Sequence, residues 1–229
     1  MSVLLVLLMC LIILAISYLR GREEDPLTAA QAGAPGSPLV PDSPLEIPAG
    51  HCFHPCHTWL AKEGGENARV GIDSFAASLF GEIDHIEVTQ PKRWVRQGQR
   101  LMTVSIAGVS VELVSPVEGT VKELNEIALR DPALVVSDPY RSGWIAVLKS
   151  PDISINQKNL LQGPMVKLWL RNSLARLNEM VSQLSPALAQ DGGVPVQGLL
   201  WRVSPELQRK LVKEFFLMDP IPRAQALSE

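Results

Sequence analysis

Apolar and polar positions change period three times along this chain, and each change marks a different kind of segment. Val3 to Tyr18 is an almost unbroken apolar run. As a helix at about 1.5 Å per residue it reaches roughly 25 Å, a little short of the ~30 Å hydrocarbon core of a bilayer. No basic side chain precedes the run, no small-residue cleavage site follows it, and Cys10 sits mid-run rather than after small residues. A signal peptide and a lipoprotein box therefore fit less well than an uncleaved span. Arg20 and Arg22 follow directly, which places the rest of the chain on the cytoplasmic side by the positive-inside rule.

From Gly21 to Gly50 the pattern disappears. Prolines at 26, 35, 38, 41, 44 and 48 stand among Gly, Ala and Ser, too polar to bury a core and stiff enough to act as a tether.

Beyond His57 the period becomes that of short strands. Ala68–Ile72 and Ile83–Val88 flank a short helix that Asp73 opens as N-cap and Gly81 closes. Leu101–Ile106 and Ser110–Val114 flank Ala107-Gly108-Val109, a hairpin with glycine at its tip. Val117, Val121 and Leu124 continue the β pattern, a segment from Asn125 to Leu134 is broken by Pro132, and Trp144–Leu148 gives a last strand. Many short strands with frequent turns predict a mainly β domain, a small barrel or sandwich.

At Val166 the period lengthens again. Apolar residues at 166, 170, 174, 177, 181 and 184 predict an amphipathic helix. Ser204-Pro205-Glu206 announces a second one, running to about Leu217. These helices either pack on the β domain and each other or dock a partner. Four segments result: a transmembrane helix over 1–20, a linker over 21–50, a β domain over 51–155 and a helical extension over 156–229.

Composition changes this picture little. The 229 residues carry a formal net charge of −3, with acids and bases interspersed, which gives no footprint for nucleic acid. Three cysteines, Cys10, Cys52 and Cys56, make no disulfide framework. No dinucleotide fingerprint, P-loop, nucleophile elbow or zincin motif occurs. His85 lies in a strand, where a solvent-facing position explains it. Trp169 and Trp201 are expected to anchor the core or an interface.

The densest set of potential ligands is His51-Cys52-Phe53-His54-Pro55-Cys56-His57. Cys52, Cys56, His54 and His57 are the types that would fill a tetrahedral zinc site. Cys52 and Cys56 also make a candidate dithiol. C-x-x-x-C-H is one residue longer than the c-type haem attachment spacing, and a cytoplasmic position also argues against haem. The fourth reading is structural.

One family resemblance runs through the β segment. His57-Thr58-Trp59, Gly71-Ile72-Asp73-Ser74-Phe75-Ala76, Ser115-Pro116-Val117-Glu118-Gly119, Asn125-Glu126, Pro132-Ala133-Leu134 and Asp138-Pro139-Tyr140…Gly143-Trp144 occur in order. Together they resemble the glycine cleavage H-protein family, with its H-x-W start, V-G-I-T-x-Y/F-A, A-P-x-x-G and D-P-Y-x-x-G-W segments. The resemblance implies a barrel-sandwich hybrid of the lipoyl-domain type, with a lipoylated lysine on a hairpin tip. It also implies that His57 is a structural residue at the start of the first strand.

The chain departs from the family at that lysine. Counting back from Pro116 without a gap puts Gly108 at the lysine position and Ser105 at a family glutamate, and no lysine lies between Lys92 and Lys122. The expectation is a membrane-anchored, non-lipoylated, non-enzymatic module that docks protein partners in a larger membrane or redox assembly. A redox or metal-binding protein built on residues 51–57 and a lipoyl carrier of glycine cleavage are the alternatives.

Overall fold

A computed structural model describes residues 45–184, 197–217 and 221–222. The chain divides into two units, Met1–Pro41 and Asp42–Glu229. The expected membrane span and the linker up to residue 44 lie outside the described residues. The last residues assigned to the linker instead pack on the β domain, with Leu45 buried in its core and the Glu46 carbonyl accepting from Tyr140. Among the described residues no helix is long and apolar enough to cross a membrane.

The β domain is two sheets. One takes β1 (His51–Phe53), β2 (Thr58–Gly64), β3 (Asn67–Ile72), β5 (Trp94–Val95), β8 (Gly119–Leu124) and β9 (Ala146–Lys149), in the order β1-β2-β3-β9-β8-β5. The other takes β4 (His85–Val88), β6 (Arg100–Ile106), β7 (Val109–Val114) and β10 (Ile221–Pro222), in the order β10-β7-β6-β4. Every pairing among these strands is antiparallel. Alternation, interrupted by a register shift between Arg100 and Met102, decides which face is dry: Leu101, Met102, Val104 and Ile106 of β6 and Val111 and Leu113 of β7 are buried in the same core as Leu60, Val70, Val121 and Leu148. The mainly β expectation holds.

Local chemistry accounts for the elements between strands. Helix α1 (Ser74–Phe80) starts where the Asp73 carboxylate accepts from the Ala76 N–H, and it ends at Gly81, whose φ is 69°. Where the sequence suggested only a segment broken at Pro132, two short helices stand. Helix α2 (Glu126–Arg130) is capped by the Asn125 side chain, and α3 (Ala133–Ser137) follows Pro132. Proline fits at a helix start because its missing N–H is unneeded there. Helix α4 (Ile153–Gln157) comes after β9. Gly71 must be glycine, since a Cβ there would lie 2.7 Å from the buried Trp59 indole.

Helix α5 (Pro164–Leu184) buries Val166, Leu170, Leu174, Leu177 and Val181, the stripe its period predicted. Helix α6 (Leu199–Arg202) lies against α1. Helix α7 (Pro205–Phe216) is capped by Ser204 and packs on α5 and β7. Its Phe216 stacks on Phe80 of α1 at 5.1 Å. Both long helices thus bury their apolar faces within the chain.

Candidate functional site

The β6–β7 hairpin is the tightest kind. Ser105 pairs with Ser110 and Ile106 with Val109, leaving Ala107 and Gly108 as the whole loop. Their φ values are 46° and 85°, and positive φ at both central residues is what a type I′ turn demands. Val109, expected in the turn, belongs to the strand. Both tip residues are exposed, and a Cβ on Gly108 would meet nothing within 4 Å. Below the tip, Ser105 Oγ lies 3.1 Å from Ser110 Oγ, so the residue that the ungapped count sets against the family glutamate is a hydroxyl tied across the hairpin. Beside it runs β10, with Ile221 opposite Ser110 and Pro222 opposite Val109. The chain's own C-terminal segment therefore covers the outer edge of β7 up to the turn. Nothing in the local pattern of Ile221-Pro222 announced this strand.

A lipoyl group attaches through an amide on a lysine ε-amine. The flanking lysines lie elsewhere: Lys92 in the turn before β5, and Lys122 on β8, where its Nζ donates to Asn67 Oδ1 at 3.4 Å. The residues at this tip do not fit such an attachment.

Residues 51–57 form a hairpin of their own, β1 pairing with β2 through His51↔Ala61, Cys52↔Leu60 and Phe53↔Trp59. The short strand and the turn over 54–57 send these side chains to different environments. His51 packs its ring edge-on to Trp59 at 4.9 Å. Cys52 is buried, and its Sγ accepts from Gln157 Nε2 at 3.1 Å. His54 Nδ1 accepts the Cys56 backbone N–H. Cys56 is buried without any charge to stabilise a thiolate, and burial pushes its thiol up to about 11. Burial likewise raises Cys52 and lowers the His54 ring, the latter with His57 adding to the effect. Among the described residues no three His, Cys, Asp or Glu side chains converge on a point that could hold a metal. The zinc set Cys52, Cys56, His54 and His57 is thus adjacent in sequence but split in space.

His57 has the most constructed surroundings. Its Nδ1 lies 2.8 Å from Asp73 Oδ2, with both side chains buried. Asp73 also caps α1 through its other oxygen, so one carboxylate joins the start of β2 to the start of the helix. The imidazole is stacked between Phe75 at 4.2 Å and Trp169 of α5 at 4.6 Å, with Phe215 and Phe216 of α7 edge-on. His57 has φ 60°, a left-handed conformation that tight packing holds in place. A shallow cleft of about 210 Å³ borders the ring, lined also by Asn172, Ser173, Arg176 and Glu214. Its Arg176 is already paired, donating to Glu214 and Glu179 at 2.9 Å each. The histidine-carboxylate contact was missed in the sequence, although H-x-W and the Asp73 cap were both visible there. Trp169 is an interface anchor as expected, whereas Trp201 is 44% exposed under Arg202. His85 faces solvent on β4, as expected.

A two-sheet β domain with a protruding two-residue hairpin, entered through a buried H-x-W strand, defines the class to which these features belong. The family model for the glycine cleavage H-protein matches residues 52–172. That is more than half of the chain, and the match extends through the His/Cys segment into α5. A glycine cleavage system H protein of Thermus thermophilus is 30% identical over 109 residues, 48% of this chain and 84% of that protein. That of Thermobifida fusca is 36% identical over 101 residues, 44% of this chain and 79% of that one. The crystal structure of a glycine cleavage system H protein from Mycobacterium marinum covers 46% of this chain and 87% of its own, at 26% identity and a TM-score of 0.43. The chain belongs to the glycine cleavage H-protein family.

Proposed function

We propose that this protein is a non-lipoylated, non-enzymatic member of the family, held at a membrane by its N-terminal apolar run and serving to dock protein subunits. The observation that carries the reading is the hairpin tip. Where attachment needs an exposed primary amine, Ala107 and Gly108 close a minimal turn. Supporting it, Ser105 stands at the position of the family glutamate, and β10 occupies the edge beside the turn. The apolar run Val3–Tyr18, followed by Arg20 and Arg22, supports the anchor and a cytoplasmic position of the domain. A role without metal or thiol chemistry is supported by the dispersal of Cys52, His54, Cys56 and His57 and by the raised Cys56 thiol.

Family membership favours a second reading, a carrier working in glycine cleavage as the relatives' names state. Extraction of native membranes in mild detergent separates the two. The docking reading expects the chain to leave the membrane in a stable complex with other membrane subunits. Recovery as a monomer from the soluble fraction, bearing a lipoyl adduct, would replace it with the carrier reading.

A further inference from the structure

Between Glu87 and Glu112 the chain has no acidic residue, while Lys92, Arg93, Arg96 and Arg100 carry positive charge. Arg100 is tied to Glu112 at 2.8 Å. The other three are exposed, and among the described residues no carboxylate pairs with them. In their midst Trp94 is 50% exposed on β5, the edge strand of the six-stranded sheet. Strand alternation explains its direction: its neighbour Val95 turns into the core, so the indole turns out. Lys92 adopts φ 70° after Pro91, at a turn position where glycine is the easiest residue. The register that pairs Val95 with Gly119 sets Glu118 next to Arg96 as the neighbouring acid, without an ion pair between them, and Glu66, farther across the sheet, is occupied by Lys149.

We infer that the edge formed by Lys92, Arg93, Trp94 and Arg96 is a lipid-docking surface that lays the domain on an anionic bilayer. The inference rests on the anchored reading above and names the surface that reading leaves open. Two features choose lipid over other acidic partners. An amphipathic indole is suited to the boundary between headgroups and acyl chains, where tryptophan is enriched in membrane proteins. Clustered Lys and Arg beside a membrane anchor are drawn to acidic headgroups, each adding several-fold to the affinity. A tether converts this weak contact into an intramolecular one. The 24 residues from Gly21 to Pro44 precede Leu45, which is buried in the domain's core, and could span at most about 80 Å. That reach lets the edge meet the surface that holds the anchor.

The test uses the full chain in vesicles that contain acyl-brominated phosphatidylcholine, with or without about one-third phosphatidylglycerol. The Trp94 signal is the difference between the wild type and Trp94→Phe. Quenching is expected only with phosphatidylglycerol, and half-molar salt should abolish it. Combining Lys92→Gln, Arg93→Gln and Arg96→Gln should lower the ratio of docked to free domain about a hundredfold. These substitutions lie on exposed positions, and unchanged thermal unfolding confirms that the fold survives them. An unquenched Trp94 in both lipids, or equal quenching in both, overturns the inference. So does retention on polyglutamate without quenching, which assigns the surface to an acidic protein. Alkaline carbonate extraction of the same vesicles reports on the anchor alone: a released chain would refute the span while the quenching still judges the docking surface.

Discussion

The hairpin tip and the His57 junction lie in the same small domain and are built on opposite terms. At the tip, two exposed residues make the shortest turn that joins two strands, and nothing crowds Gly108. At the junction, Asp73, Phe75, Trp169, Phe215 and Phe216 surround one imidazole. Of these, Phe215 and Phe216 come from beyond the family match, which ends at residue 172. Some of the buried contacts that α7 adds therefore reach His57, while Ala107 and Gly108 make a bare turn.

The comparison breaks most easily at the junction. Phe216→Ala removes a fully buried ring stacked on Phe80 and should cost about 3–5 kcal/mol. Urea unfolding would read it, and a loss under about 1 kcal/mol would show that the helices are only loosely attached. Asp73→Ala strips both the helix cap and the partner of buried His57 and should cost about 2–4 kcal/mol. Asp73→Asn should recover part of that loss, because an amide oxygen still accepts from an N–H.

Stability should also respond to pH around residues 51–57. Burial holds the His51 and His54 rings below the usual imidazole range. The unfolded chain then takes up protons first, so this stabilisation is full above about pH 6.5 and is lost as pH falls through the folded values. Cys56 works at the other end. With its folded pKa raised to about 11, the unfolded thiol ionises first, and stability should decline as pH climbs from about 9 toward that value. Urea midpoints across this range would therefore fall on both sides of neutrality. Cys56→Ser should flatten the alkaline limb, and an unchanged limb would mean that the thiol is not the group responsible.

The smallest effect belongs to the tip. Gly108→Lys places a side chain in open space but at a φ of 85°, which should cost about 1 kcal/mol. The folded variant then asks whether only the amine is missing. Modification by a lipoate–protein ligase would mean that the hairpin is otherwise competent. Resistance would point to Ser105 and the covering strand β10.

Local pattern made much of this legible. The Asp73 cap, the Gly81 stop, the β6–β7 hairpin and the buried stripe of α5 all follow from chemistry contained within a few residues. What stayed hidden depends on distant partners. Cys52, His54, Cys56 and His57 read as one ligand set because they are neighbours in sequence. Strand β1 turns Cys52 toward Gln157, and the turn that follows sends His54 to a backbone N–H, Cys56 to a buried position and His57 to Asp73. Strand β10 is two residues long and pairs with a strand more than a hundred positions earlier, so no window of sequence contains it. The short helix α6 escaped for the related reason that packing on α1, more than its own four residues, holds it.

The central claim is that this family member carries no prosthetic arm, and intact mass spectrometry of the protein from its native cells tests it most directly. The account predicts the mass of the unmodified polypeptide, with Lys92 and Lys122 bare in the digest. A stoichiometric lipoyl adduct on any lysine would contradict it.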